Sequence, residues 1–259
     1  MNHSARADGA VLLIQRILAV LVLLLIWQAG VWTGLFPSAV PSVMDVLQST
    51  VGLLVSPTFW VALGQTIGSA VVGWALAAVA GIVLGLLIGS TPLLERMTSI
   101  PVEFGRAFPI IALLPVVVLI LGANSRMEIF MVALSCLWPI LVQTIYGARR
   151  QDLAVVDTVR VFRIPALLRF RRVLLPAAMP FITTGLRLAS SIAILVAVGI
   201  EVLSQTPGIG RQITLAQEAQ RWDLAFAYLL FAGLVGWAIA AGLQAVEART
   251  MRWSRRRED

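Results

Sequence analysis

The sequence predicts an all-α fold, a polytopic membrane helix bundle of about six transmembrane helices with a cytoplasmic loop, and three observations lead there. Hydrophobic residues make up 59% of the 259 positions and the mean hydropathy is +0.91, with only 13% charged residues, a balance foreign to soluble domains. The apolar residues fall into runs of the length, about 20 residues, that crosses about 30 Å of hydrocarbon. All 20 basic residues are arginine, and they gather between and beyond those runs.

The first run, 10–32, exceeds the apolar core of a signal peptide, about 7–15 residues, and is read as a retained span. Arg6 and Arg16 flank its start, which favours a cytoplasmic N-terminus by the positive-inside tendency. The next segment, Gly34 to Pro57, carries Asp45 as its charge and is placed outside, with Pro37, Pro41 and Pro57 expected to limit regular helix. The second span, 59–89, sets Gly73, Ala77, Gly81, Gly85 and Gly89 at four-residue intervals. Such a stripe permits close helix approach, within the chain or against a second copy.

An inside connection with Glu95, Arg96, Glu103 and Arg106 leads to the third span, 107–121. Pro109 and Pro115 predict a kinked or irregular helix there, a form tolerated where protein or a water-filled cavity satisfies the freed carbonyls. Gly122 to Ser125 turns the chain outside, and the fourth span covers 127–146. A charged loop, 149–178, separates it from the fifth span, 180–202, with Pro176 ending the loop and Pro180 in the first turn of the span. The external segment 203–222 and the sixth span, 224–245, complete the bundle as a single transmembrane domain, 1–259. Sixteen arginines fall on the sides assigned inside and three, Arg126, Arg211 and Arg221, outside. Both termini are therefore placed in the cytoplasm.

Composition also excludes functions. Without lysine the chain has no P-loop of its own. The single histidine, His3, and the single cysteine, Cys136, support neither a metal site nor histidine-based catalysis, so no catalytic residue and no metal ligand is assigned. The net charge of +7 resides beside apolar spans, where anionic lipid rather than nucleic acid is its natural counterpart. A secondary transporter or channel would need ionisable mid-membrane sites or internal repeats. Ionisable residues are nearly absent from the spans, and no convincing repeat is present.

The loop from Arg149 to Pro180 packs seven arginines between two spans. Leu153, Val155, Val156, Val159, Phe162 and Ile164 recur at three- and four-residue intervals, as in a short amphipathic helix that Pro165 stops. A second basic turn, ALLRFRRVLL, follows. By physics alone this helix–turn–helix excursion fits either an interfacial segment held by anionic lipid or a protein-docking element.

The loop resembles that of binding-protein-dependent ABC importer permeases, whose pattern is E-A-A-x3-G-x9-I-x-L-P. Asp157, Thr158 and Val159 occupy the E-A-A positions, Arg163 the glycine, Val173 the isoleucine, and Leu175 and Pro176 the final pair. Aspartate replaces glutamate and arginine replaces glycine, so Ile164-Pro165 is an alternative maker of the turn. The resemblance extends from about Leu63 onward and is nearest to the nitrate, taurine and alkanesulfonate branch. It rests there on Arg106, Pro109, Pro115 and Gly122, on Leu175, Pro176, Pro180, Gly185 and Arg187, and on Glu201, Gly208 and Gly210.

The resemblance implies an ATP-driven importer of the bacterial inner membrane in which this chain forms the pathway for a small anionic solute. Its implied partners are a cytoplasmic ATPase dimer, which binds the ATP-Mg, a second permease copy and an extracytoplasmic binding protein. No cofactor is assigned to this chain. Asp157, Thr158, Val159, Phe162, Arg163, Leu175 and Pro176 are the implied ATPase-coupling residues, although Phe162 also suits a membrane-surface anchor and Arg163 a solvated charge. Polar positions on spans three to five, Asn124, Ser135, Gln143, Thr184, Ser190 and Ser191, are the pathway candidates. Each equally suits a hydrogen bond to its own helix. Glu201, Gly208 and Gly210 are assigned to an outer gate or binding-protein contact, with a solvated helix-end acid as the alternative for Glu201.

Overall fold

A computed structural model describes residues 2–150, 158–159 and 161–250, and among these every regular element is helical. The order is α1 (Asn2–Trp32), α2 (Val43–Leu54), α3 (Pro57–Ser90), α4 (Pro92–Ala107), a 3-10 turn (Ile110–Leu113), α5 (Leu114–Leu121) and α6 (Ser125–Arg149). Beyond the loop come α7 (Ala166–Arg169), a π turn (Phe170–Leu174), α8 (Leu175–Ser204), α9 (Ile209–Glu218) and α10 (Trp222–Thr250). Five helical stretches are long and apolar enough to cross a bilayer, and the pair α4 and Ile110–Leu121 makes a sixth if it counts as one broken span.

The core lies where α3, α6 and α8 meet. From α6 it takes Met127, Met131, Val132, Cys136 and Ile140, and from the other two helices mostly alanines: Ala70, Ala77, Ala189, Ala193 and Ala197. Large side chains on one helix meet small ones on its neighbours, which brings the backbones close. The glycine stripe of α3 serves this contact. A Cβ on Gly85 would stand 2.5 Å from Cβ of Thr144, and one on Gly89 2.7 Å from Cβ of Ala148. Of the two partners the stripe could have had, the chain's own α6 covers it. Trp74 Nε1 donates to the Leu186 carbonyl at 3.0 Å, tying α3 to α8 as well.

Four sequence expectations need correction. The segment expected outside contains α2, because Pro37 and Pro41 precede it and Pro57 follows it as the first residue of α3. A capping box between Ser42 and Asp45 starts this helix, and Ser49 Oγ donates to Asp223 Oδ2 at 2.6 Å, fastening it to α10. Second, Ile110–Leu121 reaches only about 18 Å at the α-helical rise and cannot span alone. The chain breaks at Phe108-Pro109, where α4 and the following helix meet at 84°. α4 is a 16-residue helix where a short connection was expected.

Third and fourth, Pro176 does not end the loop and Pro180 does not begin the fifth span. Helix runs from Ala166 to Ser204, with Pro176 in the first turn of α8 and Pro180 within it. The π turn admits this: the Leu175 N–H donates to the Phe170 carbonyl five residues back, a register in which a helix absorbs an inserted residue.

Candidate functional site

Of the expected coupling residues, Asp157 lies outside the described residues. Thr158 and Val159 belong to a helical turn, with Val159 buried and Thr158 exposed. Its end is a Schellman closure: Phe162 N–H donates to the Thr158 carbonyl at 3.0 Å and Ile164 N–H to the Val159 carbonyl at 3.1 Å. The residue between them, Arg163, takes φ +49°. This left-handed conformation is the one glycine adopts at low cost, and Arg163 adopts it at the position where the pattern has glycine. Ile164-Pro165 follows the turn and does not make it, with Pro165 at ψ 143°.

Phe162 is 74% exposed and Val161 77%, so the turn presents two large apolar side chains outward. Val159, Arg163, Ile164, Arg169, Phe170 and Leu174 instead line a cavity of about 460 Å³ on its other side, closed by Ser90 at the end of α3. Leu175 and Pro176 are partly buried at the head of α8. The loop thus stands on the ends of α3 and α8. At this same end the Arg149–Glu95 ion pair joins α6 to α4.

The pathway candidates divide by their bonding. Asn124 caps α6, its Oδ1 accepting from Arg126 N at 2.9 Å and Met127 N at 3.1 Å. Ser135 donates to the Met131 carbonyl at 2.9 Å, Thr184 to that of Pro180 at 2.9 Å, and Ser190 to that of Arg187 at 2.7 Å. Each spends its proton on its own helix. Gln143 is partly buried where α6 meets Gly185 of α8, and Ser191 is exposed on α8.

At the other end of α8, Glu201 is fully buried rather than solvated. Its Oε2 accepts from Gly210 N at 2.7 Å, holding the start of α9. Thr66 on α3 accepts from Ile209 N at 2.9 Å and completes the attachment. Gly208 and Gly210 pass so close that a Cβ on Gly208 would overlap the Glu201 carboxyl, and one on Gly210 would stand 2.6 Å from Glu201 Cβ. The three residues of the expected outer gate therefore form one contact.

Glu128, a residue that sequence reasoning passed over, completes it. It sits at the head of α6, has no exposed surface, and faces Glu201 and Ser69. Its signal in the sequence was a lone acid one residue inside an otherwise uncharged span, a position costly enough to require a partner or a task.

The chain as a whole has counterparts among known proteins. Residues 77–252 match the family described as binding-protein-dependent transport system inner membrane component. The bicarbonate transport system permease protein CmpB of Synechocystis is 30% identical over 238 residues, covering 88% of this chain and 85% of that protein. The nitrate import permease protein NrtB of the same organism is 30% identical over 227 residues, 84% of this chain and 82% of its own. The putative aliphatic sulfonates transport permease protein SsuC of Escherichia coli is 28% identical and covers 88% of each.

Among solved structures, a chain of a bacterial alginate ABC transporter superposes with a TM-score of 0.67 at 16% identity, over 97% of this chain and 99% of that one. A chain of the MetNI methionine ABC transporter gives 0.63 at 17% identity, over 76% and 99%. The family match over more than half of the sequence, together with this shared fold, settles membership: the chain belongs to the inner membrane components of binding-protein-dependent transport systems, and is a multi-pass membrane permease.

Proposed function

We propose that this permease works as a non-catalytic subunit of an ATP-driven importer for a small oxyanion. Two copies form the pathway, a cytoplasmic ATPase dimer that holds the ATP-Mg engages the loop 149–178, and an extracytoplasmic binding protein delivers the solute. The substrate class is supported by three relatives whose names specify bicarbonate, nitrate and aliphatic sulfonates, all small anions. An inner-membrane location with both termini cytoplasmic follows from the same reading and from the arginine excess on that side.

The observation that carries the coupling role is the turn at Arg163. A residue that pays a steric penalty keeps the left-handed geometry of the glycine position, which points to a backbone shape maintained for a partner. The turn projects Phe162 outward beside Val161, a compact apolar knob suited to a groove between ATPase subdomains. Rigid seating of the loop on α8 lets closure of an ATPase dimer displace the pathway helix, a rigid-body switch of a familiar type. Gln143 and Ser191, which make no bond to their own helix among the described residues, are the positions best placed to meet a solute.

The test combines uptake and hydrolysis in reconstituted vesicles. An Asp157→Arg, Phe162→Asp double variant is expected to insert and assemble normally in the membrane while ATP hydrolysis no longer drives uptake. Unchanged uptake would exclude the coupling role. Uptake that collapses with an uncoupler but survives ATP depletion would instead favour a secondary transporter.

A further inference from the structure

The contact between Glu128 and Glu201 holds more acceptors than donors. Both side chains have no exposed surface. Glu201 Oε2 receives the Gly210 N–H, but Glu201 Oε1 and both Glu128 oxygens have no hydrogen-bond partner among the described residues. Two ionised carboxylates are acceptors only and cannot bond to each other. Burying even one unpaired ion costs several kcal/mol, and two in mutual contact repel as well.

The surroundings offer no counter-charge. α3 contributes the hydroxyls of Thr66 and Ser69, and the Thr66 proton is directed to the Ala62 carbonyl at 3.1 Å. α9 contributes the Gly210 N–H, and α10 brings the neutral Tyr228 to the neighbouring apolar cluster around Ile209. Arg126 and Arg211, the cations nearest in sequence, are both exposed. The salt bridges among the described residues include neither glutamate. No group of three or more histidine, cysteine or acidic residues among them could hold a metal ion.

We infer that Glu128 and Glu201 form a proton-binding site, in which a proton on one carboxyl bridges to the other and locks the start of α9 onto the outer ends of α6 and α8. The bound species is a single proton taken from external water. It converts one acceptor into a donor and leaves one negative charge, which the Gly210 N–H already meets. Its loss places two charges in contact beneath the Gly208–Gly210 segment and drives that segment away. The site goes beyond the transport reading and does not depend on the solute.

The test is infrared spectroscopy of the full-length chain in lipid nanodiscs at neutral pH, read alongside thermal unfolding. The wild type is expected to show a protonated-carboxyl C=O band that shifts on deuterium exchange. Glu128→Gln is expected to lack that band, because the amide then donates to an ionised Glu201, and Glu201→Gln is the parallel variant if the first does not fold. Thermal unfolding of the wild type and of Glu128→Gln in the same nanodiscs establishes that the variant compared is folded. Absence of the band from the wild type overturns the inference, as does a band unchanged in both variants. Stabilisation of a band-free wild type by sodium or calcium ions would assign the site to a metal cation instead.

Discussion

Two residues show how far a single position can be read. Arg163 was visible from its spacing as the occupant of a glycine position, but its own preference argued for moving the turn to Ile164-Pro165. The hydrogen bonds of Phe162 and Ile164 hold the turn at Arg163 instead, because a helix ended by a Schellman closure needs its left-handed residue at that one place. Arg163→Gly is therefore expected to stabilise the turn by about 1 kcal/mol or less, the left-handed penalty offset in part by glycine's chain entropy. Slower hydrogen exchange at the Ile164 amide would register it. Arg163→Val should act oppositely, since a β-branched residue fits this region worst. Glu201 teaches the complementary lesson. Its place at a helix end suited an outer gate or binding-protein contact and a solvated acid alike, and only the folding of α9 back over it reveals burial. Gly208→Ala, whose Cβ would overlap that carboxyl, is expected to destabilise the protein by about 1–3 kcal/mol, measured as a lower unfolding temperature in lipid.

At the scale of elements, apolar length located the long helices well, whereas proline was a guide in one place and misled in another. Pro109 does break the chain, at 84°, whereas Pro176 and Pro180 lie in one continuous helical run. The difference lies in the neighbouring backbone: a π turn precedes Pro176 and admits it, while Phe108 before Pro109 is extended at ψ 130°, the conformation proline favours in its predecessor. Local sequence does not state which of these outcomes packing will choose. The glycine stripe was legible as a close-approach surface, but its partner was not. With α6 now identified, Gly85→Ile is expected to separate α3 from α6 at Thr144 and cost about 1–3 kcal/mol or more. A matching change at Gly64, where a Cβ meets nothing within 4 Å, should cost far less.

For the whole molecule, sidedness is the property most open to test. The native cysteine, Cys136, is fully buried, so single cysteines can be introduced without first removing it. A cysteine at Ser49 on α2 is expected to react with an impermeant maleimide in intact cells, and one at Ser99 on α4 only after permeabilisation. Equal labelling of both would refute a membrane crossing by α3 between them. The sequence by itself determined the fold class, the membrane setting, the positions of the long helices and the motif spacing of the loop 149–178, because apolar length, arginine asymmetry and motif spacing are all properties of the linear chain. Only the tertiary structure decided that the stripe faces α6, that Arg163 carries the turn, and that Glu128 meets Glu201 beneath Gly208 and Gly210. Those outcomes depend on segments far apart in sequence converging in space, and burial, which governs the cost of every charge and every Cβ, exists only once they have converged.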